Sequence, residues 1–203
     1  CGVVDVDTDS DGVADCLDNC VALANPSQAD CDLNGIGNAC ESGDGARDID
    51  ADGVPDKCQL GAVIYYCTPG TTTNGCTATI SAIGAANASA SSGFVVSIAA
   101  SEGGQQGLIF YGIHGPKFST YGGGFLCVKA PVWRTPNQAA TGTSGACDGS
   151  LTIDLLDFFA THPGALGNPL AAGEMFNVQG WFRDPPAPKT VGLSDALQFT
   201  LAP

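Results

Sequence analysis

The pattern of apolar and polar positions changes abruptly near residue 60. Residues 1–60 contain few large apolar side chains, and none of their stretches has the apolar periodicity of an amphipathic helix. From residue 60 onward, short runs of β-branched, aromatic and other apolar residues are separated by turns rich in Gly, Pro, Ser and Asn. The pattern predicts two domains, an N-terminal domain at residues 1–60 with little regular secondary structure and an all-β domain at residues 61–203.

The second domain contains eight candidate strands. They are predicted at 62–67, 76–83, 93–100, 107–113, 124–129, 150–156, 175–183 and 196–201. Eight short strands separated by turn signals indicate a β-sandwich of jelly-roll or immunoglobulin-like kind. The stretch 155–161 could instead form a helical turn. Aromatic residues recur in these strands and would serve either as core or as a sugar-stacking platform, with core the more common use; they are Tyr65, Tyr66, Phe110, Tyr111, Tyr121, Trp133, Trp181 and Phe182.

Polar residues in the first domain follow one alternating pattern three times: DTDSDGVAD, DCDLNGIGN and DIDADGVPD. Loops that hold Ca²⁺ offer oxygen ligands from positions 1, 3, 5, 7, 9 and 12, using the backbone carbonyl at 7 and a Gly turn at 6. All three copies fit this template, and we expect three or more Ca²⁺ ions. The predicted ligands are Asp7, Asp9, Asp11, the Val13 carbonyl, Asp15 and Asp18 in the first loop, Asp30, Asp32, Asn34, the Ile36 carbonyl, Asn38 and Glu41 in the second, and Asp48, Asp50, Asp52, the Val54 carbonyl, Asp56 and Gln59 in the third.

Charge supports this interpretation. Residues 1–60 carry fourteen acidic and two basic side chains, so that they account for −12 of the chain's net charge of −14. Because close carboxylates repel one another and few large apolar residues are available, we expect the fold of this segment to depend on Ca²⁺. An acidic disordered tail is the alternative, but cysteines between the loops argue against it. The negative charge excludes nucleic acid as a partner.

The three loops differ from the helix-flanked loops of calcium sensors. Position 8 holds Ala14, Gly37 and Pro55 rather than a bulky apolar residue, and no amphipathic run flanks the loops. Residues 5–59 instead resemble thrombospondin type 3 repeats, through DNC at 18–20, NPSQ at 25–28 and DCDLNGIGNAC at 30–40. Asn34 and Asn38 stand where that family usually has Asp.

The resemblance implies an extracellular wrap of calcium loops with almost no hydrophobic core, used as a spacer or docking arm. It also implies a disulfide between Cys20 and Cys40. A dockerin-like segment is the alternative, since dockerins also contain tandem DxDxDG loops, but this sequence lacks the helices that follow those loops.

Ten cysteines in a chain with one Met indicate a disulfide framework made in an oxidising compartment. We therefore expect an extracellular or cell-surface location. The sequence alone leaves the pairing open, although local bridges Cys67–Cys76 and Cys127–Cys147 are preferred. Carboxylates around the cysteines favour a harder ion than zinc. No apolar run approaches the roughly 18 residues that span a bilayer, and the initial Cys suggests a removed leader or a fragment.

Residues 62–203 resemble a C-terminal domain of secreted planctomycete and related bacterial proteins. The resemblance rests on YC at 66–67, NGC at 74–76, GLIFYG at 107–112, GGGFLCV at 122–128 and ALQFTLAP at 196–203, and it implies secretion and a surface role.

The sequence contains no GxSxG or HExxH motif, and the two histidines, His114 and His162, fall in predicted loops. We therefore expect no enzyme, with an enzyme fragment as the alternative.

Together these features predict a calcium-stabilised extracellular structural protein. Its copies would assemble into a filament or surface layer, with the calcium segment of one copy docking on the β-sandwich of the next and an edge strand containing Phe199 covered by the neighbour. The alternative is an adhesive module of a secreted bacterial protein that binds carbohydrate or a cell surface.

Asn87 lies in a formal N-glycosylation sequon, and residues 71–73 are a candidate O-glycosylation site.

Overall fold

The computed structural model describes residues 6–31, 35–41, 55, 58–185 and 190–203. The chain divides into two compact units, residues 1–59, called the arm below, and residues 60–203, called the β-unit. The described residues of the arm form turns and bends and contain no α-helix or strand. The protein is mostly β-structure, which confirms the predicted fold class.

Eleven strands and one helix make up the regular structure that is described for the β-unit. They are β1 (Val63–Tyr66), β2 (Thr79–Ile83), β3 (Val95–Ser101), β4 (Gln106–Gly112), β5 (Pro116–Tyr121), β6 (Gly124–Val128), β7 (Trp133–Arg134), β8 (Gln138–Ala139), β9 (Gly149–Asp154), α1 (Leu155–Thr161), β10 (Met175–Arg183) and β11 (Val191–Thr200). Each predicted strand has a counterpart, and β5, β7 and β8 were not predicted. The stretch 155–161 is helical because the Asp154 carboxylate accepts hydrogen bonds from the backbone N–H groups of Leu156 and Asp157, which caps the helix.

The strands form two sheets and a separate hairpin. The six-stranded sheet has the order β1-β11-β10-β4-β7, with β8 also paired to β4, and the three-stranded sheet has the order β2-β3-β9. Strands β5 and β6 form the hairpin. Because β1 returns to pair with β11, placing Val63 opposite Phe199, β11 has neighbours on both sides. The prediction that Phe199 lies in an edge strand is therefore wrong, and its side chain is buried.

The main hydrophobic core lies between the two sheets and is closed at one end by α1. Alternate residues of β10 and β11 point into it, and the rings of Phe176 and Phe199 stack at 5.2 Å between centroids. Burying side chains of this size contributes roughly 1.5–3 kcal/mol each. Gly180 lets the sheets approach closely, since a Cβ there would lie 2.5 Å from Ile98 Cδ1.

The eight aromatic residues considered as a sugar-stacking platform differ in how far they are buried. Four of them are buried, which are Tyr66, Phe110, Tyr111 and Phe182. Three are exposed, which are Tyr65, Tyr121 and Trp133, and Trp181 is partly buried. The larger group therefore serves in packing.

Disulfides join distant parts of the β-unit. The bonds are Cys67–Cys127 and Cys76–Cys147, which close 60 and 71 residues respectively, so both predicted local bridges are wrong. Cys67 pairs with Cys127 because the fold brings the end of β1 against β6, where the Tyr66 hydroxyl donates a hydrogen bond to the Cys127 carbonyl at 2.9 Å. In the arm, Cys20–Cys40 is confirmed, Cys31–Cys58 is added and Cys16 is also disulfide-bonded.

Candidate metal centre

The first loop brings three acidic side chains together. Asp7, Asp9 and Asp11 each offer a carboxylate oxygen, and these oxygens all lie within 4.8 Å of one another. Backbone N–H groups fix the loop: Asp7 Oδ2 accepts from Gly12 at 3.0 Å, and Asp11 Oδ1 accepts from Val13 at 2.8 Å. Gly12 has φ +95°, a conformation that favours Gly at the sharp turn.

The second loop repeats the hydrogen bonds of the first one, twenty-three residues later in the chain. Three bonds recur in equivalent positions. In the first loop, Gly12 N donates to Asp7 Oδ2, Asp15 N to Val6 O and Thr8 N to Asp15 Oδ1. In the second loop, Gly35 N donates to Asp30 Oδ2, Asn38 N to Ala29 O and Cys31 N to Asn38 Oδ1. The two loops therefore share these hydrogen bonds as well as a sequence pattern.

The hydrogen bonds also explain why Asn38 is tolerated where the repeat usually has Asp. In the first loop, the two carboxylate oxygens of Asp15 accept from the backbone N–H and the hydroxyl of Thr8. In the second loop the residue equivalent to Thr8 is Cys31, which has no hydroxyl, and the single amide oxygen of Asn38 accepts from its N–H group at 3.0 Å. One acceptor oxygen is therefore sufficient at residue 38, so Asn serves there in place of Asp.

Three buried carboxylate oxygens in these loops receive no hydrogen bond from the described residues. They are Asp9 Oδ2, Asp18 Oδ2 and Asp30 Oδ1. A buried carboxylate oxygen with no partner is costly, and each of these belongs to a predicted calcium ligand. A hard cation in each loop would satisfy them, with Asp9 and Asp18 in the first loop and Asp30 in the second, so these donors fit Ca²⁺.

The electrostatics of the first loop agree with that assignment. Desolvation raises the pKa of Asp9, and the negative charges of Asp11, Asp18 and Asp7 raise it further. A bound cation would offset the repulsion among these carboxylates. The Asp18 carboxylate is therefore near enough to act on the same group, although it lies outside the three-residue cluster.

The remaining predicted ligands are less well defined. Val13, Ile36, Glu41 and Gln59 lie within the described residues, and their role as ligands stays a prediction. The other predicted ligands lie outside the described residues. They are Asp32, Asn34, Asp48, Asp50, Asp52, Val54 and Asp56. The third loop therefore rests on its sequence pattern.

Residues between the two loops hold them together, and the ligand template did not identify them. The Gln28 amide accepts from Asn19 N and donates to Asp18 Oδ1, both at 2.8 Å. Gly37 N donates to Asn19 O at 2.9 Å, and a Cβ on Gly37 would lie 2.6 Å from Cys20 Sγ. This close approach explains the small residue at position 8. The DNC and NPSQ motifs were the signal that these positions mattered.

These features define a calcium-loop arm and a β-sandwich carried on one chain. A family model of the thrombospondin type 3 repeat matches residues 1–28, which include the first loop and the DNC and NPSQ motifs. Repeats of this family bind calcium, and together with the disulfides they point to an extracellular protein. No curated protein and no solved structure matched the chain.

The family match at residues 1–28 does not extend to the β-unit. The resemblance of residues 62–203 to a planctomycete domain has no support from the comparisons and stays a prediction. Among the helices of the described residues, none combines the length and the apolar character that crossing a membrane requires.

Proposed function

We propose that the protein is a calcium-stabilised extracellular structural subunit whose copies assemble, with the arm of one copy docking on the β-sandwich of the next. Such a contact joins unlike surfaces, so it does not close on itself unless the rotation forms a ring, and its ordinary product is a filament. The proposal assigns no catalytic role to the chain.

The observation that carries the proposal is the exposed apolar surface of the arm. Five large apolar side chains are exposed there, and Leu17 is the most exposed at 71%; they are Val6, Leu17, Val21, Leu23 and Ile36. Neither hydrophobic cluster of the described residues includes any of them. Exposed apolar groups on a segment that calcium and disulfides make rigid favour an interface with another molecule.

Charge favours docking on the β-unit rather than between two arms. Residues 1–60 carry a net charge of −12, whereas residues 61–203 carry −2. Two arms would repel each other, and bound Ca²⁺ lowers the repulsion without abolishing it. An arm placed against a nearly neutral β-unit meets a much smaller barrier.

The experiment is negative-stain imaging and light scattering of the full chain, in calcium and in EGTA. We expect fibres in calcium only, and we expect Leu17→Ser with Leu23→Ser to abolish them. Ala22→Ser is the matched control, because Ala22 is an exposed position of the same segment that carries no large apolar side chain; fibres should persist in it. Monodisperse monomers in calcium at high concentration would contradict assembly and favour the module that binds carbohydrate or a cell surface, which a glycan array tests.

A further inference from the structure

The six-stranded sheet has apolar side chains on both faces. On β4, Ile109 and Tyr111 belong to the main core, whereas Leu108 and Phe110 belong to a second cluster on the opposite face. On β10, Phe182 and Trp181 divide in the same way. An antiparallel sheet with one face in the core commonly has a polar outer face. An apolar outer face therefore needs a cover.

The β5–β6 hairpin covers part of this second face. The buried Gln179 side chain attaches it: Oε1 accepts from Cys127 N at 3.0 Å, and Nε2 donates to the carbonyls of Phe125 and Ser194 at 2.8 Å. The Cys67–Cys127 disulfide attaches the same residue covalently. Strand β6 is thus fixed at Cys127, above the middle of the sheet.

Beside this attachment the second face forms a partly open cavity of about 340 Å³. Its lining is mainly apolar and includes Leu108, Phe110, Leu126, Val132, Trp181 and Leu193. Phe110 and Leu193 are buried, whereas the other four are only partly buried. The volume is within the range of small-molecule sites, which are concave and mostly apolar with a few polar groups that orient the ligand.

The charges around the cavity have one sign. Lys117 and Arg134 line it, and no acidic residue does within the part of the chain that the structure describes. The guanidinium of Arg183 lies 5.3 Å from the ring centroid of Trp181, which also lines the cavity. Acidic residues outnumber basic ones by seven to five over residues 61–203, so this cationic lining is opposite in sign to the segment as a whole. An anionic group complements it.

We propose that the cavity binds a small amphipathic anion. The apolar body of the ligand lies against Leu108, Leu126 and Trp181, and its carboxylate, sulfate or phosphate group lies between Lys117 and Arg134. Carbohydrate fits less well, because most of the lining side chains are aliphatic or Phe and offer no hydrogen-bonding group to its hydroxyls. This site does not depend on assembly of the chain.

The test is calorimetric titration of the full chain, in calcium, with decyl sulfonate, decanol and decylammonium. These probes share one apolar body and differ in the charge of the head. We expect decyl sulfonate to bind at one site per chain, about tenfold more tightly than decanol, and decylammonium to bind most weakly. Equal affinity for the three probes would overturn the proposal, and so would binding to phosphatidylglycerol vesicles without binding of monomeric decyl sulfonate.

Variants locate the site. Arg134→Gln and Lys117→Gln remove exposed charges, so the fold is retained, and each should weaken decyl sulfonate about threefold while leaving decanol unchanged. Lys129→Gln is the matched control, because Lys129 belongs to the same segment but does not line the cavity; its effect should be below about twofold. An equal loss in the control and in both test variants would show that net charge, rather than this cavity, attracts the anion.

Discussion

Asp9 and Asp15 differ in how their carboxylates are satisfied. The buried Oδ2 of Asp9 receives no hydrogen bond from the described residues, whereas both side-chain oxygens of Asp15 accept from Thr8. Substitution of a carboxylate that has no partner other than the ion should lower the Ca²⁺ affinity more than substitution of one that mainly hydrogen-bonds within the loop. We therefore assign Asp9 the larger part in binding Ca²⁺ and Asp15 the larger part in shaping the loop.

Asp9→Ala should lower the Ca²⁺ affinity of the first loop at least about tenfold, which corresponds to about 1.4 kcal/mol. Asp15→Asn should cost less, because Asn38 fills the equivalent position in the second loop. Calcium titration of the full chain by calorimetry measures both. Equal losses would show that rigidity of the loop, rather than the charge of each ligand, sets the affinity.

Asp195 is a half-buried acid in the β-unit. Desolvation raises its pKa above the ordinary value of 3.8, although its Oδ1 accepts a hydrogen bond from Ile80 N at 2.6 Å. The folded chain therefore holds this proton more tightly than the unfolded chain. The contribution of Asp195 to the free energy of unfolding is largest below pH 3.8 and falls as pH rises through the raised pKa.

Asp195→Asn retains an acceptor for Ile80 N and removes the charge. We expect it to raise the Tm of the β-unit at pH 7 and to flatten the dependence of Tm on pH in the acidic range. Thermal unfolding followed by circular dichroism at several pH values measures this. Asp157→Asn, at an exposed position, is the control and should give no such gain.

At the scale of elements, Gln179 determines how the β5–β6 hairpin is attached to the sheet. Gln179→Ala would leave three backbone groups without their side-chain partner, namely the buried Cys127 N and Ser194 carbonyl and the part-buried Phe125 carbonyl. The expected loss of unfolding free energy is about 3 kcal/mol, or roughly 10 °C in Tm. Gln106→Ala on the exposed start of β4 should change Tm little. A loss no larger than this control would mean that the disulfide alone holds the hairpin.

The disulfides of the β-unit give a second prediction at this scale. Peptide mapping without reduction should recover Cys67 linked to Cys127 and Cys76 linked to Cys147. Replacing the first pair by Ser opens a loop with a sequence separation of 60 residues and should cost about 4 kcal/mol. Peptides that link Cys67 to Cys76 would contradict the strand arrangement itself.

Short-range patterns in the sequence located most elements, and contacts between distant residues account for what was missed. Strand β5 starts at a Pro and contains Lys117, and β7 and β8 have two residues each, so none of them produces an apolar run. The template placed Asp7, Asp9 and Asp11 together but gave no reason for Gly37, whose role depends on Cys20. The pairing of Cys67 with Cys127 required knowledge that β1 ends against β6.

At the scale of the whole molecule, the two units should respond differently to calcium. The main core and its two disulfides belong to the β-unit, whereas the arm has clustered carboxylates and little apolar burial. Excess EGTA should therefore lower the protection of arm amides from hydrogen exchange and leave the β-unit unchanged. Calcium at 100 times Kd adds about 2.7 kcal/mol per site. Protection of the arm that is indifferent to EGTA would contradict the metal assignment.

The pairing of β1 with β11 has a mechanical consequence. Tension applied between residue 60 and the C-terminal end of β11 opens this pair from Val63 onward, one residue at a time, because Val63 and Phe199 lie at the same end of the antiparallel pair. After the four residues of β1 the separation reaches Cys67, where the disulfide transfers the force to Cys127 and from there, through Gln179, to the centre of the sheet. An oxidised chain therefore yields only a short, fixed extension under load before the force reaches the centre of the sheet, and reduction of that one bond moves the stop to Cys76, where the second disulfide links the chain to Cys147.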